Sequence, residues 1–447
     1  MVMALQHGRF QPICLGLVST PLPLIGPTSV SEPRSAYLHI PFCQRRCFYC
    51  DFAVVPLGDR ADGAHSGSIE AYLKLLHAEI AGSPPGPPLS TVYVGGGTPS
   101  LLTPGQIGAL LAALGDHFGL APGAEISLEM DPASFDRDRL DQLLAIGVNR
   151  VSLGGQSFDD PVLERLGRRH RRADLLEAAA WLAAAWRQGQ LRSWSLDLIQ
   201  GLPEQTLDHW AGQLGQALAL EAPHLSIYDL IVEPGTVFAW RQRRGQLPLP
   251  DPEMGADLMD FTSERLRGAG YGHYEISNYA QPGHVSRHNR VYWSGAGWWG
   301  FGMGATAAPF GERQARPRTR AAYGEWLNTR RQHQPEERGG AVSAPPFDER
   351  LLVGLRRREG VSMDRLAAEH GIGPAELGGL RQRLGPFLEG GLLLIEGSRW
   401  RLSDPAGLAL SNAVLRELLD WWDGRPDPGA SPAGPQRQDH GHRSTPG

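Results

Sequence analysis

The strongest constraint on the fold of this 447-residue chain is a repeated switch of hydrophobic period. From Tyr37 onward, short β-rich runs alternate with longer stretches that carry apolar residues at helical spacing. The expected strands cover residues 37–40, 91–94, 125–129, 150–153, 193–199 and 224–231. Between them, residues 69–81, 104–118, 137–145, 173–186 and 207–220 read as helices; Leu73, Leu76, His77 and Ile80 set the spacing of the first. Strands separated by helices join a parallel sheet through right-handed crossovers. The pattern therefore predicts an α/β fold, either barrel-like or doubly wound.

Polar residues at the strand ends favour the barrel. Cys43, Cys47 and Cys50 follow the first strand, Gly95-Gly96-Gly97-Thr98 ends the second, and Glu129 ends the third. Gln156 follows the fourth, Asp197 lies within the fifth, and Glu233 follows the sixth. In a β/α barrel the C-terminal strand ends share one mouth, whereas an open sheet collects ligands at a switch point. Six such ends predict a full or partial (β/α)6, TIM-like barrel.

Downstream, residues 254–267 read as a helix, and a Gly- and Trp-rich stretch spans 293–304. Residues 314–320 and 329–346 are rich in Arg, Gln, Gly and Pro and read as a loop and a linker. From Phe347 helical patterns return at 348–358, 363–370 and 374–384. A hairpin of 392–395 and 399–402 follows, turning at Glu396-Gly397-Ser398. Three helices and a hairpin make a winged-helix-like α+β module. The expected division is an N-terminal extension without order (1–34), a core (35–310), a loop and linker (311–346), the module (347–423) and a disordered tail (424–447).

Composition excludes several classes. Net charge is −5, so no basic field draws the chain to nucleic acid. In the module, Glu349, Glu359 and Glu369 interrupt the basic cluster of Arg356, Arg357, Arg358, Arg381 and Arg383. The apolar stretch 15–25 is too short for a membrane span and holds Pro21 and Pro23; only Arg9 precedes it as a full positive charge. A cytoplasmic protein is expected.

The chain has four cysteines, and three of them fall within eight residues, Cys43-Gln44-Arg45-Arg46-Cys47-Phe48-Tyr49-Cys50. That is no disulfide framework; it points to a metal in a reducing compartment. Structural zinc takes four ligands, and His39 is the only local candidate for a fourth. An iron–sulfur cluster also normally takes four cysteines. A [4Fe–4S] cluster held by three leaves one iron open to a small molecule.

The three-cysteine loop after the first strand resembles the cluster loop of the radical S-adenosylmethionine (SAM) superfamily. Further segments, Tyr37-Leu38-His39-Ile40-Pro41-Phe42, Gly95-Gly96-Gly97-Thr98-Pro99-Ser100, Gly155-Gln156-Ser157-Phe158 and Tyr274-Glu275-Ile276-Ser277-Asn278-Tyr279, are similar to the oxygen-independent coproporphyrinogen III oxidase family. The similarity runs from Tyr37 to about Leu419 and is greatest to the haem chaperone branch. It implies a radical SAM barrel with Cys43, Cys47 and Cys50 on the cluster, and Tyr37, Tyr49, Gly96, Gly97, Thr98 and Glu129 on SAM. Gln156, Arg168 and Asp197 match positions that hold a second SAM in the oxidases, although Arg168 also sits in a basic run, 165–172. Tyr37 and Tyr49 also suit packing, and the glycines a tight turn.

Two features separate the branches. The oxidases carry a further cysteine two residues after the third; this chain has Phe52 there. His288-Asn289-Arg290-Val291-Tyr292-Trp293 matches the HNxxYW pattern of the chaperones, which implies His288 as an axial haem ligand, with Tyr292 and Trp293 beside the porphyrin. Packing in a loop or core is the bland alternative. Trp298 and Trp299 extend the flat apolar surface, whereas Thr306 stands where relatives often carry histidine. The resemblance thus implies a haem chaperone with a [4Fe–4S] cluster, SAM, haem-acceptor proteins, an electron donor, and transient membrane association through acceptors. The alternative is an enzyme, a coproporphyrinogen III dehydrogenase that decarboxylates propionates through a deoxyadenosyl radical. The C-terminal module is expected to help cover the active site or meet partners. A zinc-stabilised winged-helix regulator is the reading from a third class.

Overall fold

The computed structural model describes residues 32–58, 63–333 and 345–425. Most of the expected N-terminal extension with Cys14, most of the C-terminal tail, and the end of the expected linker lie outside the described residues.

All six expected strands form: β1 (Ser35–Ile40), β2 (Leu89–Gly96), β3 (Leu120–Met130), β4 (Arg150–Gln156), β5 (Ser193–Gln200) and β6 (His224–Asp229). They lie side by side in chain order, all parallel. The crossovers carry α1 (Gly67–Ala81), α2 (Pro104–Phe118), α3 (Arg137–Ala145), α4 (Arg172–Arg187) and α5 (Leu207–Ala219). Local chemistry starts these helices. Ser66, Thr103, Asp136 and Thr206 each accept a backbone N–H three residues on, and Thr103 with Gln106 closes a capping box.

The barrel is partial. At one edge β7 (Gly272–Glu275) and β8 (Asn278–Ala280) continue the sheet antiparallel from β6; at the other, β9 (Trp299–Phe301) joins β1 in parallel. The two edges do not pair.

Strand side chains alternate between the faces of the sheet, and the two sets differ sharply. Leu38, Val92, Leu128, Val151, Leu196 and Leu225 are buried in the main core beneath the helices. The opposite set faces the lumen and is polar: Tyr37, Tyr93, Ser127, Glu129, Ser152, Ser195, Asp197 and His224. Ordinary barrels of this kind fill their interior with Val, Ile and Leu. Within this one, Ser127 Oγ, Arg150 Nη2 and His224 Nδ1 are buried without a hydrogen-bond partner among the described residues.

A short helix, Arg287–Ser294, plugs the lower, N-terminal end of the barrel. Its Arg287 and His288 N–H groups donate to the two oxygens of Glu125, the β3 residue level with Thr91 near the start of β2, at 3.1 and 2.9 Å. The C-terminal module has its own core, including Phe347, Leu351, Trp400 and Val414, and a three-stranded sheet of Val361–Ser362, Arg399–Leu402 and Leu393–Glu396. Its helix Phe347–Gly354 packs on the plug helix, Glu359 pairs with Arg290, and the Arg358 N–H donates to Tyr274 O at 3.2 Å. The winged-helix-like layout forms as expected, but the module docks at the end of the barrel opposite the cysteines.

The loop and linker expected over 311–346 contain a helix, Arg320–His333. Its inner face carries Tyr323 and Leu327, both buried. The Tyr323 hydroxyl donates to Glu79 at 2.6 Å, and buried Arg316 pairs with the same carboxylate at 2.8 Å.

Candidate active site

The C-terminal ends of all six barrel strands open into one cavity of about 400 Å³. Cys43, Cys47 and Cys50 line it together with Tyr49, Gly96, Gly97, Thr98, Glu129, Gln156, Arg168, Asp197 and Glu233. The cysteine loop is held from outside. The Phe48 N–H donates to Leu166 O at 2.9 Å, Phe48 O accepts from the Phe238 N–H at 3.0 Å, and the Arg241 guanidinium covers the Phe48 ring at 5.0 Å. Tyr49 packs towards Phe238, ring centroids 6.5 Å apart.

The glycine run is there for space. A Cβ on Gly97 would lie 2.8 Å from Cys43 Sγ and 2.7 Å from Phe42 O. One on Gly96, whose φ is +119°, would lie 2.7 Å from the His39 ring. The backbone donors here are already engaged: Gly96 N–H with Glu129 Oε2 (2.8 Å), Gly97 N–H with Ile40 O (2.8 Å) and Thr98 N–H with Phe42 O (2.7 Å).

Charge on the cavity wall is arranged in two groups. Glu129 accepts from Tyr93 Oη at 2.9 Å as well as from Gly96, yet burial pushes its carboxyl up to about 7. Asp197, also raised by burial, accepts from Ser152 Oγ at 2.8 Å. On the other side Arg168 bonds Asp131 at 2.7 Å and Gly154 O at 2.8 Å, with Nη1 3.7 Å from Cys47 Sγ. Gln156 holds φ at +64°, a left-handed backbone that a glutamine rarely adopts. Asp131, Ser152 and Tyr228 also line the cavity and escaped the sequence reading. Stepping by two from Glu129, Arg150 and Ser226 would have found them.

The donor set suits a cluster. Among the described residues no three His, Cys, Asp or Glu side chains converge tightly enough for a single metal ion, as a zinc site requires with its four short bonds of about 2.0–2.3 Å. His39 is no fourth ligand, because its Nδ1 lies 2.9 Å from Tyr37 Oη and its Nε2 lies 3.0 Å from Ala53 O. Three thiols spread around one roomy cavity fit a cluster with one uncapped iron.

Two expected groups lie elsewhere. Tyr37 is in the lumen, stacked on Tyr93 at 6.1 Å, and is not part of the cavity wall. His288 is fully buried at the barrel's lower end. Its Nδ1 is 2.8 Å from Thr91 Oγ1, its Nε2 is 2.7 Å from Tyr292 Oη, and its ring stacks on Tyr93 at 5.1 Å. Burial lowers its pKa to about 3, so the imidazole is neutral. Thr91 precedes Gly96 by five residues, roughly 16 Å along a strand. Trp293 lies under Arg356 at 5.9 Å, Trp298 donates to Thr306 O at 2.9 Å, and Trp299 packs on Phe118 at 5.3 Å. Trp298 and Trp299 are buried, whereas Trp293 and Tyr292 are half-buried.

A partial barrel with a three-thiol loop at its mouth is the architecture of a radical SAM protein. Residues 37–212 match the family model described as Radical SAM superfamily, and residues 347–409 match that described as HemN C-terminal domain. The fold is shared with the solved structure of coproporphyrinogen III oxidase (HemN) from Escherichia coli, with a TM-score of 0.69 and 23% identity over 88% of this chain and 91% of that one. Among curated relatives, Heme chaperone HemW from Synechocystis is 41% identical, covering 87% of this chain and 96% of that protein. Heme chaperone HemW from Lactococcus lactis is 32% identical over 87% and 98%. The mitochondrial radical S-adenosyl methionine domain-containing protein 1 of Bos taurus is 34% identical over 88% and 89%. The chain belongs to the HemW family. Among the described residues no helix is long and apolar enough to cross a membrane.

Proposed function

We propose that this protein is a haem chaperone that holds a [4Fe–4S] cluster and SAM, binds haem and passes it to acceptor proteins. The observation that carries this is the 41% identity to a protein named Heme chaperone HemW across nearly its whole length. Phe52 at the cavity mouth, where the oxidases have a thiol, favours it over decarboxylation; the likeness to HemN is one of fold. The reading also requires an electron donor for the cluster.

Cys43, Cys47 and Cys50 would hold the cluster, which supplies a one-electron reductant with an open coordination position. Tyr49 and the Gly96–Thr98 turn shape the neighbouring space, Glu129 receives the cationic amino group of SAM, and Arg168 lies beside Cys47. Anaerobic reconstitution is expected to give about four irons per chain and a brown protein. Haemin should bind and then move to an acceptor, while coproporphyrinogen III should be left intact. Conversion to protoporphyrinogen would overturn the reading.

The raised pKa of Glu129 gives a second expectation. The carboxylate is the form that attracts a cation, so SAM affinity should drop about tenfold per unit as pH falls below 7. Glu129→Gln should abolish that slope. Equal wild-type affinity at pH 6 and pH 8 would exclude Glu129 as the anionic partner.

A further inference from the structure

Three thiols that share one cluster need not share one electrostatic environment, and Cys47 has a cation beside it. The turn 166–168 packs on the cysteine loop. The Phe48 N–H donates to Leu166 O at 2.9 Å, and a Cβ on Gly167, whose φ is +77°, would lie 3.1 Å from the Phe48 ring. The next residue is Arg168, and its Nη1 reaches to 3.7 Å from Cys47 Sγ, within hydrogen-bonding distance of a sulfur.

The guanidinium is held in that position. Its Nη2 donates to Asp131 Oδ2 at 2.7 Å and to Gly154 O at 2.8 Å, and the side chain is 12% exposed. Asp131 is itself tied down, since its Oδ1 accepts from the Ala133 N–H at 3.1 Å. Arg168 is thus a fixed bridge between a carboxylate of the barrel wall and a sulfur of the loop. Arg46 binds the same loop differently, through the backbone oxygens of Cys50 at 3.0 Å and Phe52 at 3.4 Å.

Iron–sulfur potentials respond to the charge around the cluster and to hydrogen bonds on its sulfurs. Reduction adds one electron and breaks no bond. A cation held against a ligand sulfur therefore favours the reduced state, and a carboxylate behind it opposes that effect. Inside a protein a unit charge at this range shifts such an equilibrium by more than about tenfold.

We propose that Arg168 is a positioning residue that acts through Cys47 and raises the reduction potential of the cluster, with Asp131 setting how far. This rests on the cluster part of the proposed function and is independent of haem.

The test is a redox titration of the reconstituted full-length chain without SAM. Dithionite supplies the electron, and electron paramagnetic resonance follows the reduced cluster. Arg168→Gln should lower the midpoint by at least about 59 mV, which is tenfold for a one-electron couple. Asp131→Asn should raise it, because the charge of Arg168 is then uncompensated. The double variant should fall between wild type and Arg168→Gln. Both single variants loosen the same pair, so a purely structural role would not move them in opposite directions. Arg187→Gln removes an exposed cation at the end of α4, paired with Glu221, and should leave the midpoint alone. If Arg168→Gln holds no iron, the shift in Asp131→Asn decides. Equal midpoints in all SAM-free proteins, or shifts of one sign in both single variants, would overturn the assignment. A difference that appears only after SAM is added would make Arg168 a SAM ligand without hold on the cluster, and overturn it too. A wild type that takes up no iron would sink the cluster reading, and this assignment with it.

Discussion

Gly97→Val should prevent cluster assembly while leaving the barrel folded. A Cβ at this position would meet Phe42 O at 2.7 Å, Cys43 Sγ at 2.8 Å and Phe42 C at 3.0 Å. Two of those atoms are backbone and cannot swing aside. Phe42–Cys43 pairs with Val55–Pro56, and the Gly97 N–H is held by Ile40 O at 2.8 Å. The strain therefore falls on the Cys43 thiol. Iron after reconstitution should drop from about four per chain to below one, with an unchanged far-ultraviolet spectrum. Gly95→Ala makes the useful contrast, because its Cβ meets the Glu129 carboxylate at 2.9 Å and the Tyr93 ring at 2.8 Å, away from the cysteines. It should keep its iron and lose SAM affinity. A fully loaded Gly97→Val protein would show that the turn does not confine Cys43.

Asp131→Ala should cost about 3–5 kcal/mol of stability, the range for removing one partner of a buried ion pair. Arg168 and Asp131 meet at 2.7 Å with side chains 12% and 19% exposed. Burial alone would raise the Asp131 pKa, but Arg168 and His170 overcome it and hold the carboxyl well below the usual range. The sign follows from linkage: the pair's contribution is full above the unfolded carboxyl value near 4 and is lost as pH falls through the depressed folded value. Urea midpoints of wild type and mutant should therefore converge below about pH 4. Arg168→Ala should cost a similar amount, and the double mutant much less than the sum. Additive losses would mean that the two side chains do not act as a pair.

Much of the barrel was legible because its two periods are clean. Runs such as Val92-Tyr93-Val94 and Ile126-Ser127-Leu128 alternate apolar with polar, and the intervening helices begin at recognisable caps such as Thr103-Pro104. The strand β9 was not, because three residues in a Gly- and Trp-rich stretch carry no measurable period. Its identity comes from pairing with β1, far away in sequence. The helix Arg320–His333 was masked by composition, since only one narrow face is apolar. At the site, the cysteines, Glu129, Gln156 and Asp197 stood out as polar residues in the strands or just past their ends, whereas Arg168, beyond the helix that follows β4, came only from the family resemblance. Parity along a strand tells which face a residue takes but not how deep it sits. The HNxxYW resemblance that marked His288 as a haem ligand likewise carried no depth, and the residue lies at the bottom of the barrel, partnered to Thr91 of β2. The docking of the C-terminal module depends on contacts such as Arg290 with Glu359, which no local pattern announces.

The hydroxyl-, carboxylate- and imidazole-lined lumen has a thermodynamic corollary. Exposing apolar surface on melting raises heat capacity, and exposing polar surface lowers it. A barrel whose inner layer is Tyr93, Ser127, Ser152, Ser195 and His224 therefore has a slightly smaller heat-capacity increment than one of the same length lined by branched aliphatics. Its stability curve is accordingly flatter, giving up less of its strength per degree on either side of the optimum.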